Sequence, residues 1–194
     1  ILVGRHDREA RDSVFVYIGL THLLGAGTWV AVLLLVDAEA FGGGTPLETG
    51  SGTQIAIAIA ALAGMGTKAG IVPLHTWLPR AHPIDPAHVS ALMIGVMIKL
   101  AVYGLVRVLV EWLGELPTWY GVVVLAVGGA SAVIGVVYAI FQHELKRLLA
   151  FHSIENVGII ALGLGASLAF AHEGEPLWAS VAFAAALLHT LNHA

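Results

Sequence analysis

A chain of 194 residues in which 58% are hydrophobic and only 11% charged has too few charges to coat a water-facing surface, since a soluble domain carries about a quarter charged residues. It contains no cysteine, which excludes disulfide frameworks, thiolate metal sites and cysteine-held iron–sulfur clusters. The net charge of −4 with neutral histidines argues against nucleic acid as a partner, and the long apolar runs point to the lipid bilayer as the solvent.

The chain opens on "ILVGRHDREARDS", which lacks the apolar core and small-residue cleavage site of a signal peptide. It closes on "SVAFAAALLHTLNHA", an apolar run with no capping residue. Both ends lead to the expectation that residues 1–194 are one transmembrane domain fragment, an internal piece of a longer membrane protein. Crossing the hydrocarbon core takes about 20 mostly apolar residues as a helix. Six segments meet or approach that length: 13–36, 53–78, 87–112, 118–141, 145–171 and 177 to the end. The expected fold class is therefore all-α, a polytopic bundle of transmembrane helices. Short breaks such as "PRAHPIDP", "QHE" and "HEGEP" separate the segments.

Orientation follows from lysine and arginine. Arg5, Arg8 and Arg11 precede the first segment, Arg80 follows the second, and Lys146 and Arg147 follow the fourth. The intervening breaks hold Asp37, Glu39, Glu48, Glu111, Glu115, Glu173 and Glu175, with Arg107 the cation near them. The N-terminal end is thus expected in the cytoplasm of a cell whose inner, or plasma, membrane holds the protein.

Within the second segment lies "GMGTKAGIVPLHTWLPRAHP". Pro73 lacks a backbone donor and would clash with the carbonyl of Ala69, so the helix is expected to break there. Gly64, Gly66 and Gly70 thin the helix around Lys68. Broken backbone at membrane depth is tolerated only where it is buried in protein or lines a cavity, and discontinuous helices mark places where ions bind or pass.

Lys68, Lys99 and Glu155 fall well inside segments, and each would cost several kcal/mol facing lipid. Each is expected to face protein or a water-filled path. His189 and His193 stand one helical turn apart on one face, and His22 and His152 lie near segment ends. Such groups change charge near neutral pH when suitably placed, and a string of them suits a proton relay. A lone intramembrane lysine can instead snorkel or form a structural ion pair, and His22, His75 and His88 read as packing residues. Zinc at His189 and His193 would lack an obvious third ligand on the same segment.

"GTKAGIVPLHTWLPRAHPIDPAHVSALMIGVMIKLAVYGLVR", with "HELKRLLAFHSIENVGIIALGLGASL" and "LLHTLNHA", resembles the core of the antiporter-like, proton-translocating membrane subunits. These belong to respiratory complex I, multisubunit cation/proton antiporters and membrane-bound hydrogenases. "FHSIENVGI", with Glu155 and Asn156, looks like the formate hydrogenlyase and hydrogenase-4 type. The resemblance implies an inverted-repeat fold of about fourteen helices, of which this chain would be a fragment. It implies that Lys68 is the central proton-carrying residue, that Lys99 is a second one, and that His189 and His193 continue the path. The glutamate that the family pairs with the first lysine would lie upstream of residue 1.

The expected function is proton translocation within a respiratory or hydrogenase-type oxidoreductase complex. Other membrane subunits and a peripheral redox arm would be the partners, with protons, or sodium as the alternative ion, as cargo. No cofactor is expected in this chain, which has no nucleotide-binding glycine loop. A sodium/proton antiporter subunit without redox coupling and a structural scaffold are the competing readings.

Overall fold

The computed structural model describes residues 8–45 and 47–193, with side chains from residue 11 onward. Arg5 and the side chain of Arg8, both used above for orientation, lie outside the described residues. The described chain is helical, without strands among the described residues, in the order α1 (Arg8–Leu23), α2 (Ala26–Asp37), α3 (Gly52–Ala69), α4 (Leu78–Ala81), α5 (Ala87–Leu92), α6 (Ile98–Val106), α7 (Thr118–Ile140), α8 (Leu145–His172) and α9 (Pro176–Asn192). Wide π turns at Met93–Met97 and Arg107–Trp112 join α5 and α6 into one rod, Ala87–Trp112. This rod, Arg11–Asp37, Thr118–Ile140 and Leu145–His172 are each long and apolar enough to cross a membrane. Large apolar side chains such as Trp29, Leu33, Val133 and Leu188 stand exposed on their outer faces, as lipid or further membrane helices require.

The first segment stands as the span Arg11–Asp37, with a local interruption where α1 stops at Leu23 and α2 restarts at Ala26 around Gly25. One expectation is corrected: Pro73 does not end α3. Gly70 does, by adopting φ 79° and ψ 32°, a left-handed conformation open to glycine without a Cβ penalty. The amides of Gly70 and Ile71 then turn back to the carbonyls of Thr67 and Gly66, at 3.2 and 3.0 Å. Pro73 lies beyond a helix already closed, so its clash with Ala69 never arises. The other end of α3 starts on Ser51, whose hydroxyl accepts from the Gln54 amide at 3.2 Å.

The interrupted stretch is tied down by side chains. The buried Trp77 indole donates to the Thr67 carbonyl at 2.7 Å. The Val72 amide donates to the Ser131 hydroxyl of α7 at 2.9 Å. Non-helical backbone is thus satisfied within protein, the condition the bilayer imposes.

Helices in lipid gain little from hydrophobic burial and associate through close contact of small residues. Gly121, Gly128 and Gly135 recur every seven residues on α7 and face α8. A Cβ on Gly121 would lie 2.6 Å from the Ala169 nitrogen, and one on Gly128 2.6 Å from the Leu162 nitrogen. Gly158 and Gly165 answer from α8, where a Cβ would lie 2.7 and 2.8 Å from the Gly128 and Gly121 carbonyls. Gly163 similarly seats Ala182 and Ala186 of α9. These seams hold α9 in register on α8 and so bring His189 and His193 inward. Arg80, Arg147 and Asp12 line one cavity at one end of the bundle. Glu115 meets His172 and Thr118 meets Glu173 at the other, which matches the alternation of charged breaks.

Candidate functional site

The π turn at Met93–Met97 ends immediately before Ile98, and Lys99 follows on the first turn of α6. π turns are rare and frequent at functional sites. The half-buried Lys99 ammonium donates to the Ile94 carbonyl at 3.4 Å and reaches the Nδ1 of His193 at 2.5 Å and its carbonyl at 3.2 Å. A single proton fits between the two nitrogens. Lys99 can be an ammonium donating to a neutral imidazole, or an amine accepting from an imidazolium, but both cannot carry charge at that separation without strong repulsion. The pair is therefore one hydrogen-bonded unit, with room for one proton between its two nitrogens.

His189 lies one turn back on α9, and the His193 amide donates to its carbonyl. Its Nε2 pairs with the Asn156 Oδ1 of α8 at 2.9 Å, and the Asn156 amide donates to the His152 carbonyl at 2.7 Å. His152 Nδ1 meets Glu155 Oε2 at 2.7 Å. Lys99–His193, His189–Asn156 and His152–Glu155 are thus three side-chain pairs that lie in a file across α6, α9 and α8, joined to one another through backbone carbonyls. Glu155 joins it through His152, with no direct bond to Lys99 or His189 among the described contacts.

A cavity of about 660 Å³ runs beside this file. Its wall includes His193, Asn156 and His152, then Ser90, His82 and Lys146. His82 is 3% exposed, and its Nδ1 has no partner among the described residues. Burial holds its pKa below the usual imidazole value, and burial raises the neighbouring Asp85 carboxyl. Lys146 donates to the Asp85 and Pro83 carbonyls at 2.5 and 3.4 Å, tying the α4–α5 loop to the start of α8.

Sequence reasoning missed His82, Ser90 and the roles of Asn156 and Lys146. The signal for one group was present: His152, Glu155 and Asn156 at i, i+3 and i+4 share one face of an apolar helix. Nothing local distinguishes His82 from a packing histidine.

Lys68 stands apart from this file. It occupies the last turn of α3 and is exposed, with no hydrogen bond or ion pair among the described residues. It was expected to face protein or a water-filled path, and within this chain its side chain is open rather than enclosed. Its Cε lies 3.6 Å from where a Cβ on Gly25 would stand, so the side chain crosses the interruption between α1 and α2. Lys68 is placed beside two helix breaks, its own and its neighbour's. Pro73, three residues past Gly70, lines a small apolar cavity with Tyr120 and touches none of the titratable file. Among the described residues no three His, Asp or Glu side chains converge as metal ligands.

Comparison with known proteins places these features in context. The transmembrane family described as NADH:quinone oxidoreductase/Mrp antiporter matches residues 11–191. Hydrogenase-4 component B of Escherichia coli is 38% identical over 202 residues, covering all of this chain and 30% of that protein. Formate hydrogenlyase subunit 3 of the same organism is 38% identical over 130 residues, covering 67% of this chain and 21% of that one. The Mrp complex from Dietzia sp. DQ12-45-1b superimposes with a TM-score of 0.64 at 24% identity, covering 96% of this chain and 37% of its counterpart. The chain spans about a third of the length of these relatives.

Proposed function

Because this chain belongs to the NADH:quinone oxidoreductase/Mrp antiporter transmembrane family, we propose that it forms part of a proton path, with the Lys99–His193 contact at its centre. That contact, 2.5 Å long and beside a largely apolar cavity whose wall carries His82, Lys146, His152 and Asn156, is the observation that carries the reading. Water in the cavity would deliver protons past Lys146 and His82 to His152 and on to His189, whose ring Asn156 holds in place. Further water would carry them from His189 to His193, which would exchange them with Lys99, each group losing its proton as the next gains one. Glu155 would stabilise a positive charge arriving at His152.

The likeness to hydrogenase-4 component B and formate hydrogenlyase subunit 3 favours service in a redox-driven complex. This chain would contribute the path, and any electron-carrying cofactors would sit in partner subunits, including a peripheral arm. By its basic breaks, the end carrying Arg80, Lys146 and Arg147 would face the cytoplasm, in the inner membrane of a bacterial cell. The family description, which also names the Mrp antiporter, supports the second reading, exchange of a cation such as sodium for protons without electron transfer. Proton uptake by proteoliposomes holding the whole complex separates the two. Uptake that requires the electron donor and ignores sodium supports the first, and sodium-driven uptake without a donor supports the second.

Lys68 would load or block the path through its charge, from its position against the Gly25 break. In the complete protein Lys68→Ala is expected to lower proton flux at least about a hundredfold, the scale of losing a positioned acid–base group, with assembly intact. Normal flux in that variant would remove Lys68 from the mechanism. Lys68→Arg is expected to fail equally, because a guanidinium does not release its proton in proteins.

A further inference from the structure

We propose that the cavity between Arg80 and Arg147 binds the phosphate of an anionic phospholipid. The inference needs only that the chain spans a membrane and is independent of the proton path. The cavity has a volume of about 450 Å³ and is lined by Arg80, Arg147, Gln142, Asp12, Pro79 and Phe151. Three separate stretches converge there: the start of α1, the α4 turn and the junction of α7 with α8. Arg80 is exposed and makes no side-chain hydrogen bond or ion pair among the described residues. Arg147 has Glu144 at 3.9 Å, both being partly exposed, a contact of little worth in water. Asp12 shares the wall and sets a negative charge against the pair, yet forms no ion pair with either arginine among the described residues.

The first turn of α8 adds a second argument. Helix N-termini favour anions and disfavour cations. Here no acid lies in the first turn, Glu144 makes no side-chain cap, and Lys146 and Arg147 take the positions nearest the unpaired amides. Lys146 is engaged by the carbonyls of Pro83 and Asp85. An anion near Arg147 would relieve this arrangement, accepting paired N–H bonds from guanidinium groups whose planar forks suit phosphate oxygens.

The location selects a lipid as the source. The cavity sits at the end of membrane-spanning helices, and Phe151 lies one turn deeper along α8 than Arg147. Ile140, Phe141 and Leu145, flanking Gln142 in the chain, are each at least 70% exposed. A headgroup phosphate between the arginines would leave its acyl chains along this apolar flank, the pattern by which basic pockets between membrane helices hold anionic headgroups.

The complete protein in its complex, delipidated in detergent, would be titrated with phosphatidylglycerol, phosphatidylcholine or inorganic phosphate and bound lipid counted by native mass spectrometry. Removing one cation near a headgroup should weaken phosphatidylglycerol binding about fivefold, and R80Q/R147Q roughly twenty-five-fold. R107Q, at the opposite end, should change nothing, and phosphatidylcholine should bind wild type and double variant alike. Equal phosphatidylglycerol affinity in wild type and R80Q/R147Q would overturn the proposal. Displacement of the lipid by equimolar inorganic phosphate would overturn the lipid source. If the double variant does not assemble, R80Q alone, altering an exposed side chain, carries the same comparison, and no loss of affinity in it overturns the site.

Discussion

Lys99→Ala in the complete protein is expected to cut proton flux by at least about a hundredfold while the complex still assembles. The reason is the contact with His193: the two nitrogens stand 2.5 Å apart, and in the proposed path removing either leaves no partner for the exchange. Lys99→Arg should fail as well, since it places a permanent charge against His193. His193→Ala should be nearly as severe alone. The double variant Lys99→Ala/His193→Ala should lose little more than the worse single one, because residues acting as one unit are strongly non-additive. Multiplicative losses in a flux assay would show Lys99 and His193 to be independent and would end the shared-proton model. The His189 link to Asn156 is longer and its partner is an amide that carries no proton of its own to pass on, so Asn156→Ala should cost less than either.

Filling the glycine seam between α7 and α8 is expected to have the largest effect on folding. Gly128→Leu drives a branched side chain into the backbone at Leu162 and the Gly158 carbonyl, where even a Cβ would lie at 2.6 and 2.9 Å. Gly158→Leu does the same from the other helix. Overpacking a closely fitted interface typically costs 1–3 kcal/mol, and occasionally more. Here the obstacle is main chain, which cannot rotate aside, so each variant should be absent from the membrane on a native gel. Gly129→Ala is the control, one residue away on α7. Its Cβ would meet only a Leu162 methyl at 3.6 Å, and it should assemble normally. Wild-type assembly of Gly128→Leu would mean that the helices do not meet along this seam.

Much of the architecture was legible because the bilayer leaves few options. Segments of about 20 apolar residues must be helices, and apart from Lys68, Lys99 and Glu155 most charged residues fall into the breaks and tail between them. The intramembrane Lys99, His189 and His193 stood out for the same reason, as polar groups in an apolar run are costly unless used. The motif run around Lys68 carried the family, later supported by the match over residues 11–191.

What the sequence could not supply depends on distances between helices. A proline announces a possible break, but the helix ends where backbone conformation is cheapest, and Gly70 reached its left-handed state three residues before Pro73. Gly25 splits the first segment although nothing in its neighbours forces it. Glu155 stood out as an intramembrane charge, and only the structure shows that its partner is His152 on its own helix. Lys68 and Lys99, alike in sequence, part company in space, one exposed beside Gly25 and the other against His193. Composition and charge determined that this chain crosses a membrane, because hydration and hydrocarbon act on each residue separately. Only the tertiary structure decided that Lys99 of α6 meets His193 at the end of α9, because that requires two side chains on different helices to stand within a hydrogen bond of each other.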